Sequence, residues 1–444
     1  MRWTSLGHAC WLIEAAGLRL LCDPLVYVEH HGGVFEVSPR RRLRAEALRA
    51  DFLLISHRHP DHFDIPSLAA LARLDPDTVV LTPDPLITEA ATALGFRNVK
   101  PLPPGQRAEL DGLTFVTTES LAPDEWGVMV AADSGVVWNM VDTVLRDVDH
   151  VRRVRDVALA GLGHDRVDLA LVQGQPMHEI AAQLGRAIDF PYARYGSVLA
   201  QLAAIDARCY VPSAAGTVHA PDYAWLNAIV YPVDAGRLCR DLERACPDAT
   251  IVPPRLGARF RVGDGAVIVE DDLEVELIER VNDGPRCSYR PVEVPALRGR
   301  GRIADAEATI ASWLERALAP ELARAYPGFD VDGALRLVVE VAFVDGRASW
   351  TVVVDGDGAQ LRPGFDPDWD ALNLADGALL VDVIEGRRHW GDLLLGGALR
   401  AVTRAYAVGP RGLRRANVGE VFLYYALSYA ESTRRAVAWE LAHG

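Results

Sequence analysis

Lysine, paired cysteines and long apolar runs are what this sequence lacks. Of its 46 basic residues only Lys100 is a lysine, and the arginines are scattered along the chain rather than clustered. With a formal charge of −15, that leaves no basic groove of the kind a nucleic-acid backbone requires. The six cysteines, Cys10, Cys22, Cys209, Cys239, Cys246 and Cys287, contain no Cys-x-x-Cys pair. Neither a zinc knuckle nor a cysteine-bound iron–sulfur cluster is readable, and free, buried thiols are expected. His8, Glu14 and Arg19 interrupt the apolar residues of the N-terminus, where a secretory leader would be continuous. No apolar stretch nears the ~18–20 residues needed to span a bilayer. The expectation is a soluble, cytoplasmic protein that engages neither membrane nor nucleic acid.

What is present is concentrated in Ser56-His57-Arg58-His59-Pro60-Asp61-His62-Phe63. A strand-like run, Asp51-Phe52-Leu53-Leu54-Ile55, stops here and gives way to three imidazoles and a carboxylate. His57 and His59, two apart on extended backbone, can share one metal, while Asp61 and His62 fall past a turn and face a second position. The spacing His-x-His-x-Asp-His therefore predicts a metal site fed by a strand end.

This stretch resembles the signature of the metallo-β-lactamase superfamily. The resemblance implies an α/β fold, an αββα sandwich with metals at the loop edge of its two sheets. Gly7-His8 and Asp23-Pro24 look like the subgroup that includes sugar-lactone hydrolases and the hydroxylase of CMP-N-acetylneuraminate. In that subgroup an aspartate at the place of Asp23 commonly hydrogen-bonds a metal-bound histidine, and a plain Asp-Pro turn is the other reading. Between Val26 and Leu48 no period is readable, so an inserted loop over the site mouth is expected, with His30 and His31 exposed on it rather than touching substrate or metal, the other reading.

A β/α alternation follows. Leu113–Thr118 reads as a strand ending on Glu119, where the superfamily normally has a third histidine. A hairpin over Gly127–Trp138 then leads to Asp142, where the superfamily places a metal-bridging aspartate. The resemblance thus gives one metal to His57, His59 and Glu119 and the other to Asp61 and His62, bridged by Asp142, although Glu125 lies close enough to compete with Glu119. After Cys209–Pro212, where a last ligand usually follows, the chain has Ser213-Ala214-Ala215-Gly216; the nearest histidine is His219, a ligand, a plain loop residue or a residue facing substrate. Three carboxylates among three imidazoles favour iron or manganese over zinc, and a glutamate here resembles the dinuclear-iron β-hydroxylases of this fold.

The catalytic domain is expected over residues 1–280, a linker over 281–300, and a smaller α+β domain over 301–444. That last domain faintly resembles sterol-carrier proteins and would serve as a substrate wall or homodimer surface. Its expected elements include helices over 393–406 and 421–441. The leading expectation is a two-iron oxygenase, a monooxygenase for a small molecule in biosynthesis with O2 as co-substrate and Asp61 and Asp142 as catalytic groups. No nucleotide fingerprint and no Rieske-type Cys/His set is present, so a separate reductase or ferredoxin would supply electrons. The alternative is a two-zinc hydrolase acting on a lactone, amide or phosphodiester, with Asp61 orienting the attack.

Overall fold

The computed structural model describes every residue except 111, 123, 124, 133, 134, 174–177, 271–273, 291, 330, 332, 411 and 417–420. The chain divides into two compact units, Met1–Met177 with Asp189–Arg290, and His178–Ile188 with Pro291–His443.

Two sheets form the first unit. An eight-stranded sheet runs in spatial order Ala266–Glu270, Arg259–Gly263, Arg2–Gly7, Cys10–Ala15, Leu18–Cys22, Phe52–Leu54, Val79–Thr82 and Asn98–Pro101. A seven-stranded sheet runs Arg107–Leu110, Leu113–Thr118, Gly127–Ala132, Gly135–Asn139, Leu169–Val172, Cys209–Pro212 and Thr250–Ile251. Alternate residues of each sheet point inward, so Trp3, Trp11, Ile13 and Leu20 meet Phe115, Val128, Val130, Val137 and Leu169 in one buried layer. On the far face of the second sheet Met129, Trp138, Ala170 and Tyr210 pack with Val151, Val154, Leu202 and Leu238 of three helices. Those helices, Val148–Leu162, Tyr192–Ala203 and Ala235–Ala245, complete the αββα arrangement.

The segment 26–48 is not an open loop. Phe35–Val37 pairs with both Glu29–His30 and Thr217–His219, and Arg40–Leu43 pairs with Ile278–Asn282. The strands are too short to show a period. His30 and His31, expected to be exposed, are buried at 3% and 5% relative accessibility. Arg41, fully buried, clamps this segment by donating to the carbonyls of Leu6, Leu25 and Tyr27. Of the hairpin turn expected at Asp133-Ser134-Gly135, Asp133 and Ser134 lie outside the described residues.

The second unit has a five-stranded sheet, in order Gly358–Pro363, Gly346–Asp355, Leu335–Phe343, Ala371–Asp376 and Leu399–Thr403. Leu337, Val339, Val352, Leu380 and Trp390 belong to its core. The strand Leu399–Thr403 stands where a helix over 393–406 was expected; Gly396 and Gly397, the latter at φ 66°, stop the helix Trp390–Leu395. Residues 178–188 contribute Leu184 to this core. Gln183, also buried, donates to Leu394 O and accepts from Ala401 N, tying that segment to the unit. No helix among the described residues is long and apolar enough to cross a membrane. All six cysteines are free.

Candidate metal centre

The motif works because its backbone changes direction within it. Ile55 N still bonds Leu81 O as part of the sheet, but His62 N and Phe63 N both return to His59 O. That turn, opened by Pro60, carries Asp61 and His62 to a different side from His57 and His59. His57 and His62 are fully buried, whereas Asp61 and His59 keep side-chain accessibilities of 22% and 35%.

A relay of hydrogen bonds fixes which imidazole nitrogens are bare. Asp23 accepts from Ser56 N and Ser56 Oγ, both at 2.7 Å. Ser56 Oγ, its proton given to Asp23, accepts from His57 Nδ1 at 2.9 Å, which leaves His57 Nε2 as the nitrogen facing the centre. His62 Nδ1 donates to Asp23 Oδ2 at 2.9 Å, so His62 Nε2 is aimed the same way. Asp23 therefore orients two imidazoles at once, one through a serine. Asp23→Asn is expected to weaken metal binding by about 10–100-fold with little change in the fold, checked by competition with a chelator.

The groups converge. His57 Nε2 is 2.9 Å from His59 Nδ1, and His59 Nδ1 is 3.8 Å from Glu125 Oε1. Asp142 Oδ2 lies 3.2 Å from His62 Nε2 and 3.6 Å from His57 Nε2. Asp61 Oδ2 lies 3.5 Å from His62 Nε2 and 3.1 Å from His8 Nε2. Three sets thus bring ligand atoms within 4.8 Å of one another: His57, His59 and Glu125; His57, His62 and Asp142; and His8, Asp61 and His62.

Electrostatics point the same way. Burial, reinforced by His62 and His59, holds His57 well below the ordinary imidazole pKa, keeping it neutral and able to ligate. Burial works against charge on His62 as well, yet Asp61 and Asp142 hold its pKa well above the ordinary value. Burial opposes ionisation of Asp61 too, but His62 and hydrogen bonds from His31, His62 and His8 keep that carboxyl well below the usual range. The carboxylates thus favour positive charge at His62 Nε2, and neither that nitrogen nor Asp142 Oδ1 has a hydrogen-bond partner despite burial. Buried polar atoms without partners, aimed at one point among carboxylates, fit a divalent cation.

Glu119 is placed elsewhere. Its carboxylate accepts from His150 Nε2 at 2.8 Å and Arg153 at 3.4 Å, both on the helix packed against its strand, and its side chain is 58% exposed. Thr118 pairs with Gly127, so Glu119 and Glu125 both lie in the connection between the two strands, and strand order does not choose between them. His219 is also outside the three sets; its ring packs on Phe35 at 4.3 Å and its backbone is bonded to Asn227. His8 was not among the residues expected at the site. The signal for it was Gly7-His8 interrupting an apolar strand.

A two-sheet sandwich with these groups at the ends of its strands gives the first unit the metallo-β-lactamase fold expected from the sequence. Residues 2–148 match the family model described as a β-lactamase superfamily domain. The chain is 30% identical over 184 residues to a Mycolicibacterium smegmatis protein provisionally named a Rieske 2Fe-2S iron–sulfur protein, over 39% of this chain and 34% of that one. It therefore spans about a third of that relative's length. It is 27% identical over 168 residues to a metal-dependent hydrolase of Pyrobaculum calidifontis, over 36% of this chain and 69% of that one. CmlA, a diiron β-hydroxylase from Streptomyces venezuelae, aligns in structure over 58% of this chain and 53% of its own, at 18% identity and a TM-score of 0.42.

Proposed function

We propose that this chain is a dinuclear-iron oxygenase acting on a small molecule. The observation that carries the reading is Glu125, whose carboxylate joins His57 and His59 where a third imidazole would suit zinc. With Asp61 and Asp142 it brings three hard carboxylates to the three imidazoles of the motif, a donor set that favours iron or manganese. When bound, two iron ions would supply dioxygen activation. The residues divide the work of holding them: His57, His59 and Glu125 at one position, Asp61 and His62 at the other, Asp142 within reach of both. Asp23 and Ser56 keep the imidazoles turned inward, and the strands 29–30, 35–37 and 217–219 exclude water from the side of His30 and His31.

The electrons come from outside the chain, from an iron–sulfur protein or its reductase. The sequence has no Cys/His set to hold such a cluster, while the relative 30% identical to it carries a Rieske name. The likeness to a metal-dependent hydrolase favours a second reading, in which zinc occupies the same residues and Asp61 orients an attacking water.

Elemental analysis of the protein purified without added metal separates the two. About two metal ions per chain, mainly iron, and oxygen uptake after chemical reduction are expected. Two zinc ions with hydrolytic turnover and no oxygen uptake would overturn the oxygenase.

A further inference from the structure

The second position, held by Asp61, His62 and the reach of Asp142, has fewer imidazoles than the first. The loop that follows Cys209–Pro212, Ser213 to Gly216, brings no imidazole to it. Resting on the dinuclear reading above, we propose that His8 is the protein ligand that completes this second position.

The loop without a histidine instead cradles the residue that has one. A Cβ on Gly216 would lie 2.7 Å from His8 N and 2.9 Å from His8 Cα, closer than real side chains approach backbone. Only glycine lets this loop touch the His8 backbone. Ser213 fixes the same loop from its other end, accepting from Trp11 Nε1 at 2.9 Å across the sandwich. Arg41 pins the chain just before, through Leu6 O at 2.9 Å.

The backbone at His8 is the second observation. Gly7 sits at φ 101° and His8 at φ 52°, and the pairing of Arg2–Gly7 with Cys10–Ala15 shifts register between Ser5 and Gly7. A left-handed non-glycine residue is strained, and asparagine or glycine meets that conformation more cheaply. What histidine adds at this corner is its ring. That ring is only 1% exposed, sits 5.4 Å from the ring of His62, and has Nε2 3.1 Å from Asp61 Oδ2. Its Nδ1 has no hydrogen-bond partner. A histidine present only to pack would not need its nitrogen among the ligand atoms of Asp61 and His62, all within 4.8 Å.

The test counts cobalt(II) taken up by the metal-free full chain against a chromophoric chelator. The wild type is expected to bind two ions. His8→Asn, which tolerates the left-handed backbone, should keep one and weaken the other by more than about 100-fold, beyond the cost of losing a hydrogen bond to a ligand. His8→Gly leaves space for a free ring, and millimolar imidazole should restore its second cobalt and the ligand-field spectrum. Two cobalt ions at wild-type affinity in His8→Asn would overturn the assignment. So would a second site in His8→Gly that imidazole fails to restore, because His8 would then act only by positioning Asp61. A wild type that takes up fewer than two ions overturns the dinuclear reading itself, and is told apart by needing no variant.

Discussion

Asp142→Ala is expected to strip metal from both positions and to lower turnover by about a thousandfold or more, ~4 kcal/mol of transition-state stabilisation. Asp142 Oδ2 stands 3.2 Å from His62 Nε2 and 3.6 Å from His57 Nε2, one imidazole from each position. Removing the shared carboxylate leaves each position without its common anion. The fold should survive, because Asp142 lies on the loop after Gly135–Asn139 with 21% of its side chain exposed, away from the tryptophan-rich layer between the sheets. A change in the melting temperature of the metal-free protein of no more than about 4 °C is expected for such a site. Metal analysis beside a thermal melt checks both halves. If Asp142→Ala keeps two metal ions, the carboxylate does not reach both positions.

The parts of the site legible in the sequence are those in which the chain supplies several groups locally. His57, His59, Asp61 and His62 come from one strand end, and their spacing of two and one fixes where they can point whatever surrounds them. Asp23 was legible through resemblance alone, and the parallel pairing of Leu18–Cys22 with Phe52–Leu54 is what puts it beside that strand end. Glu125 was legible only as a rival to Glu119, and His8 only as part of a resemblance, not as a ligand. Each depends on a backbone path that only tertiary packing decides: the former on which side of a strand connection faces the helix bearing His150, the latter on a left-handed corner held by Gly216. His30 and His31 were misplaced because strands two and three residues long carry too little pattern to register. In the second unit the helix expected to run on through Gly396-Gly397 ends before the strand Leu399–Thr403.

The substitution with the most to say about chemistry is Glu125→His. It replaces a carboxylate with the neutral ligand usual for zinc in such folds, removing one negative charge from a centre that also holds Asp61 and Asp142. Less negative charge disfavours the oxidised iron pair that oxygen activation requires, and imidazole in place of a hard oxygen donor favours zinc. Glu125→His is therefore expected to retain two metal ions, shift the zinc-to-iron ratio upward by about tenfold, and reduce oxygen uptake by at least ~100-fold. Glu119→Ala is the control. Its carboxylate serves His150 and Arg153 near the surface, so metal content should stay at the wild-type level and stability within about 1 kcal/mol. Metal analysis and an oxygen electrode decide the matter. Were Glu119→Ala to empty the first position while Glu125→His matched wild type in metal ratio and oxygen uptake, the carboxylate beside His59 would not be a ligand. Iron would then have no extra carboxylate to favour it, and a zinc hydrolase would be the better account of the same histidines.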